Sequence, residues 1–149
     1  MSEHKATIRW RKAGDSFAYA DYTRDHDWSF DEGRTVVRAS AAPAFRGTAE
    51  LVDPEEAFVA SLASCHMLTF LAICSKKRIT VESYTDDAVG HLEKNAAGKL
   101  AVTRVELRPR VEFAAGQAPD AAVLRELHDT AHHECFLANS VLTEVAVAG

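Results

Sequence analysis

Nineteen residues, Ala57 to Ser75, pass without a charge. Asp53-Pro54-Glu55-Glu56 precede the run and Lys76-Lys77-Arg78 close it. Aspartate is a strong helix N-cap, and proline suits the first helical position. Acidic residues in the first turn and basic residues in the last follow the helix dipole. The pattern predicts one helix over residues 53–75, apolar nearly all round and therefore buried on most sides. Its length alone would span a bilayer. However, Ser61, Ser64, Cys65, His66, Thr69 and Ser75 interrupt the run, so the expectation is the central helix of a soluble core, with no membrane partner.

On either side, apolar positions alternate as strands require. His4 to Lys12 and Phe17 to Thr23, with Gly14-Asp15-Ser16 between, predict a hairpin. Arg24 to Asp27 is too polar for a strand interior and predicts a loop. Trp28 to Phe30 and Arg34 to Ser40 predict strands about a turn at Asp31-Glu32-Gly33, and residues 41–52, with Pro43 and Gly47, predict a connector. Beyond the helix, strands are expected from Ile79 and around Val89 to Leu92. Leu100 to Phe113 predicts one long strand, with Pro109 marking an edge or bulge. Asp120 to Glu134 has helical spacing at Val123, Leu124, Leu127 and Ala131. Cys135 to Val141 predicts a corner and Leu142 to Val147 a last strand. This order predicts an α+β fold with antiparallel sheet. A length of 149 residues fits a single domain, 1–149.

Composition changes this picture little. An apolar content of 47% and a charged content of 26% are those of a globular chain. The net charge of -5 argues against nucleic acid as a partner. The start, MSEHKATIRW, has no apolar core for a signal peptide, and three widely spaced cysteines do not make a secreted disulfide framework. The expectation is a cytoplasmic protein, where a cysteine pair is more often catalytic than structural.

Two positions carry the candidate chemistry. Cys65 falls in the middle of the long helix. A free cysteine there is most often packing, and a reactive one needs its thiolate stabilised. The helix dipole acts mainly in the first turn. His66 is adjacent but points about 100° away round the helix. A cationic partner has to come from elsewhere, and an arginine on a loop is the natural source. Cys135 follows His132-His133-Glu134 where the chain turns, a place from which a second thiol can approach the first. Cys74 lies about 180° round the helix from Cys65 and reads as core filler. A zinc set drawn from Cys65, His66, His132, His133 and Cys135 is the metal alternative, without a Cys-x-x-Cys spacing to support it; the paired histidines read more plainly as a solvated helix end. His26 and His91 read as surface residues.

The stretch DPEEAFVASLASCHMLTFL, followed by HHECFLANSV, resembles the OsmC/Ohr family of thiol-dependent peroxidases. The family pattern is an Asp/Asn-Pro-Glu helix start, a cysteine ten residues after that glutamate, and a second cysteine in an Ala-His-x-x-Cys-x-x-x-Asn context. These fall on Glu55, Cys65, Ala131 to Cys135 and Asn139. The family's Arg-Asp loop falls on Arg24-Asp25. The segment around Arg24 lacks the usual glycines, and Cys65-His66-Met67-Leu68 marks a separate subgroup.

The resemblance implies an OsmC-like fold with antiparallel sheets around a long central helix, assembled as an intertwined homodimer. It implies that Arg24 holds Cys65 as thiolate and orients the peroxide, while Glu55 pairs with Arg24. Cys65 then becomes a sulfenic acid, Cys135 condenses with it to a disulfide, and an external dithiol reductant restores the pair. Organic hydroperoxides are the implied substrates, with hydrogen peroxide second; no cofactor and no metal are implied. The alternative is a non-catalytic OsmC-like binding or stress protein that holds an apolar ligand at the dimer interface. Ten residues of helix separate Glu55 from Cys65 by about 15 Å. The two therefore cannot share one arginine along a single straight helix. Either the helix breaks, or Glu55 serves the Cys65 of a second subunit across a two-fold axis.

Overall fold

The computed structural model describes residues 1–148. Its contacts group the chain into two compact units, Met1–Ala57 and Phe58 onward.

The N-terminal unit is built on three antiparallel strands, β1 (Thr7–Arg9), β2 (His26–Phe30) and β3 (Thr35–Ala39), in that order across the sheet. Trp28 of β2 faces Ile8 on one side and Val37 on the other. The expected hairpin of 4–12 with 17–23 does not form. Only Thr7–Arg9 is strand, its partner is β2, and Phe17 to Thr23 contains no strand. The reason lies in the side chains. Trp10, Phe17 and Tyr22 pack on one another instead of alternating across a sheet, and the Trp10 indole N–H donates to the Thr23 carbonyl at 2.8 Å. Strand β2 also starts inside the polar stretch read as a loop, because Asp27 lies opposite Arg38 and pairs with it at 2.5 Å.

The connector holds a short 3-10 turn at Pro43–Phe45, and Val52 bridges to Ala39 in parallel. Gly47 is required there: a Cβ would lie 1.5 Å from the Ala41 carbonyl oxygen.

Helix α1 runs unbroken from Pro54 to Lys76. Its start is the expected one, with the Glu56 N–H donating to Asp53 Oδ1 at 2.8 Å. Its burial is not. Leu62, His66, Phe70 and Cys74 are the fully buried residues, one stripe at a spacing of four, while Leu68 is 60% exposed. An all-round apolar sequence does not say which face is covered; the packing chooses a face by the i, i+4 geometry of the helix.

The C-terminal unit carries β4 (Val81–Asp86), β5 (Val89–Lys94), β6 (Leu100–Leu107), β7 (Pro109–Phe113), α2 (Ala121–Glu134) and β8 (Glu144–Val147). Strands β4 and β7 pair antiparallel as one sheet, and β5-β6-β8 form another. The stretch 100–113 is therefore two strands in two sheets, parted at Arg108, whose N–H donates to Asp86 Oδ1 at 2.7 Å. Pro109 marks this change of sheet. Nor is the sheet wholly antiparallel: β6 pairs with β8 in parallel, Val105 opposite Val145. The intervening chain through α2 supplies the crossover that parallel strands need.

Two apolar clusters fill this unit. Phe70, Cys74, Leu127 and Ala131 form one, so Cys74 is core filler as expected. Leu62, Val105 and Leu107 form the other. A Cβ on Gly90 would lie 2.4 Å from Val59 Cγ2, so glycine lets α1 approach β5 closely.

Candidate active site

The C-terminal unit brings Cys65 and Cys135 together although 70 residues separate them in sequence. Cys65 is half-buried in α1, and Cys135, 1% exposed, is the residue that ends α2. Both are free thiols, and Cys65 lies near enough to Cys135 to act on its titration. Burial pushes the Cys135 thiol up, and the nearby Cys65 adds to this; the backbone N–H groups of Ala138 and Leu137 pull the other way. The corner that carries Cys135 is held by its own residues. The Asn139 N–H donates to the Cys135 carbonyl at 3.1 Å and its side-chain amide to the His133 carbonyl at 3.0 Å. The asparagine of the Cys-x-x-x-Asn motif thus locks the turn after α2.

His66, next to Cys65 on α1, belongs to a buried imidazole pair. His66 and His128 lie edge to edge and nearly coplanar, with ring centres 5.3 Å apart and planes within 9°, and His66 Nε2 lies 3.1 Å from His128 Nδ1. Phe70 stacks on a face of His128 at 4.3 Å. Burial first, then the proximity of His128 and His132, pushes His66 down to about 4. His128 is lowered by burial and by Arg125, against the pull of Asp129. His66 Nδ1 and His132 Nδ1 are buried without a hydrogen-bond partner among the described residues. No group of three or more His, Cys, Asp or Glu side chains among those residues is arranged to hold a metal ion. His128 has no place among the sequence candidates, although its spacing of four from His132 puts both on one face of α2.

The N-terminal unit places Arg24 and Glu55 on one cavity of about 430 Å³. Rings of Trp10, Phe17, Tyr22 and Phe45 supply its apolar wall. Arg24 is tightly positioned. Its Nη1 donates to the Tyr22 carbonyl at 2.5 Å and its Nη2 to the Tyr19 carbonyl at 2.7 Å. Its guanidinium lies 3.6 Å over the Tyr22 ring and 4.8 Å from the centre of Tyr19. The expected pairing of Glu55 with Arg24 is not made: the described residues show no ion pair between them. The guanidinium is instead taken up by the carbonyls and rings of its own turn.

The residues after Arg24 are pinned as well. Asp25 Oδ1 accepts from Ser40 Oγ at 2.9 Å and from Thr48 Oγ1 at 2.7 Å. The Thr48 bond, then Ser40, Arg38 and His26, lower this carboxyl against the opposing effect of burial. His26, expected at the surface, is half-buried in the cavity wall. The Trp28 indole N–H can only donate, so the His26 Nε2 that it meets at 3.0 Å accepts. The ring proton therefore sits on Nδ1 and is donated to the Arg24 carbonyl at 2.7 Å. Asp25 and His26 are residues that hold the arginine loop, and only the three-residue polar run beside Arg24 hinted at them.

The unbroken α1 removes one of the two alternatives for Glu55 and Cys65. They stand on one continuous helix, about 15 Å apart along its axis.

Fold and side chains together define a class: an α+β protein whose long helix carries one of two neighbouring free thiols. The chain belongs to the family of OsmC-like proteins, whose match covers residues 47–148. It is similar to an OsmC-like protein of unknown function from Vibrio cholerae, at 50% identity over 99% of each chain and a TM-score of 0.92. An organic hydroperoxide resistance protein from Elizabethkingia anophelis shares the fold at 16% identity, covering 99% of this chain and 93% of that one, with a TM-score of 0.74. One from Bacillus subtilis does so at 18% identity over 98% and 96%, with a TM-score of 0.66. Among curated proteins, none matches the sequence.

Proposed function

We propose that this protein is a cysteine-based peroxidase that reduces organic hydroperoxides in the cytoplasm. The observation that carries the reading is the nearness of the free Cys65 and Cys135 thiols, two residues that only the fold brings together. Family membership supports it, as do the hydroperoxide resistance proteins that share the fold.

The reaction balances on these residues. The Cys65 thiolate attacks the terminal oxygen of the hydroperoxide. The O–O bond breaks, Cys65 becomes a sulfenic acid, and the alkoxide takes a proton and leaves as alcohol. The Cys135 sulfur then attacks the Cys65 sulfur. The S–S bond forms, the S–O bond breaks, and hydroxide leaves as water with the proton of Cys135. An external dithiol reduces the disulfide by exchange and is itself oxidised. Burial holds the proton on Cys135, which suits a thiol that must wait until the first one is oxidised.

Arg24 serves in this scheme as the fixed cation, and Glu55 is the acid that shares its cavity. The continuous α1 keeps Glu55 from the Cys65 of its own helix, so the working unit is a homodimer in which the two residues act across the subunits.

The test is a titration of the reduced protein with an organic hydroperoxide, with free thiols counted and the disulfide located by peptide mass mapping. Loss of two thiols per chain, with Cys65 joined to Cys135, is the expected result. If Cys65 stays reduced under excess peroxide, the peroxidase reading fails and the apolar cavity marks a binding protein.

A further inference from the structure

We infer that, in the peroxidase reading above on which this rests, the cavity of the N-terminal unit selects hydroperoxides that carry an aromatic ring. The ring sits against Trp10, Phe17 and Tyr22, and the –OOH group meets Arg24 and Glu55.

The wall argues for the ring. Trp10 and Phe17 have centres 5.9 Å apart at 60°, and Trp10 and Tyr22 6.2 Å apart at 89°. Phe17 and Tyr22 are 4.8 Å apart at 33°. This is a cluster of mostly edge-to-face rings, and within the single chain it is left open: Trp10 is 41% exposed and Phe17 64%. Another aromatic ring extends such a cluster by the same quadrupole attraction, in addition to the area it buries. A linear chain gains only the area, and it loses more rotamer freedom on being ordered.

The polar groups argue for the hydroperoxide. Both nitrogens of His26 are engaged, and Ser40 Oγ donates to Asp25. Arg24 is different. A guanidinium carries five N–H donors, and two of its nitrogens each make one bond to a carbonyl. Glu55, also on the wall, has no hydrogen bond or ion pair from its carboxylate among the described residues. The pocket thus offers spare donors on Arg24 and a spare acceptor on Glu55. A hydroperoxide has an O–H to give the carboxylate and oxygens to take from the guanidinium. A dialkyl peroxide lacks the O–H, and a ligand ending in a carboxylate is repelled by Glu55.

The experiment compares kcat/KM for cumene hydroperoxide, tert-butyl hydroperoxide and a linear linoleic acid hydroperoxide on the full-length protein. Cumene hydroperoxide is expected to exceed both others by about tenfold, equivalent to about 1.4 kcal/mol. In Trp10→Leu and Phe17→Leu the cumene to tert-butyl ratio is expected to fall toward one. Binding of the product alcohol, 2-phenyl-2-propanol, to unreacted wild-type protein gives a second readout through tryptophan fluorescence. Saturable quenching by this alcohol and none by tert-butanol supports the aryl site. A linear hydroperoxide reduced as fast as cumene hydroperoxide, or no binding of the aryl alcohol because a second copy covers the rings, overturns the inference and leaves the peroxidase reading standing. Failure to reduce any of the three defeats that reading itself.

Discussion

The imidazole of His66, on α1, lies edge to edge with that of His128, on α2, with Nε2 of the first 3.1 Å from Nδ1 of the second. Two buried imidazoles in such contact cannot both be charged without loss of their shared hydrogen bond and a large desolvation cost. The folded chain therefore keeps the pair neutral, and this neutrality has a measurable effect on stability.

His66 titrates at about 4 in the folded state against an ordinary value of 6.5. Below pH 6.5 the unfolded chain binds a proton that the folded chain refuses. Stability is thus fully present above about pH 6.5 and falls as the pH drops toward 4, by on the order of 3 kcal/mol from this residue. His128, lowered in the same direction, adds to the slope. Urea unfolding at pH 7, 5.5 and 4 should show the midpoint falling through this window. A His66→Phe protein should have a shallower slope. Equal slopes in the two proteins would show that the pair plays no part.

Cys65→Ser and Cys135→Ser should separate the two thiols. Without Cys65, peroxide consumption falls to the uncatalysed level. Without Cys135, the first oxidation still occurs and Cys65 accumulates as sulfenic acid, trapped by a dione probe and read by mass spectrometry. A Cys135→Ser protein that turns over as fast as wild type would rule out Cys135 as the resolving thiol.

Arg24→Met should leave the fold intact, since the side chain is only half-buried, and lower kcat/KM for hydroperoxide by about a hundredfold. Asp25→Asn acts one step further away. It weakens the bonds from Ser40 and Thr48 and should cost about 1–2 kcal/mol of stability. The two substitutions differ in kind: the first shows mainly in kinetics, with a small loss of stability from the bonds to the Tyr19 and Tyr22 carbonyls, and the second mainly in stability.

Two glycines make a comparison in packing alone. In Gly90→Ala the new methyl meets Val59 Cγ2, the end of a side chain that can move, and should cost about 1–3 kcal/mol. In Gly47→Ala it meets the Ala41 backbone carbonyl at 1.5 Å, which cannot move without opening the connector. Thermal melts should rank Gly47→Ala as the less stable, and the reverse order would mean that the 41–52 connector is free to rearrange.

Much was legible in the residues because it is local. The cap at Asp53, the span of α1, the turn to Cys135 and the packing role of Cys74 all follow from neighbours within one or two turns of chain. So did the family: the Pro-Glu start, the cysteine ten residues on and the Cys-x-x-x-Asn corner are short patterns. Arg24 was found on its Arg-Asp neighbour in the same way. Tertiary structure decided the rest, where the outcome depends on which distant partner a group meets. Alternation over 100–113 is the same whether the strand stays in one sheet or changes sheet at Arg108. The aromatic residues of 10–22 satisfy a strand pattern equally well, yet burying ring against ring won over pairing backbone with backbone. Arg24 was expected beside an acid and found the carbonyls and rings of its own turn. An all-apolar helix does not name its buried stripe. His66 became part of a buried pair only because α2 brought His128 against it, and no count of residues along the chain measures that approach.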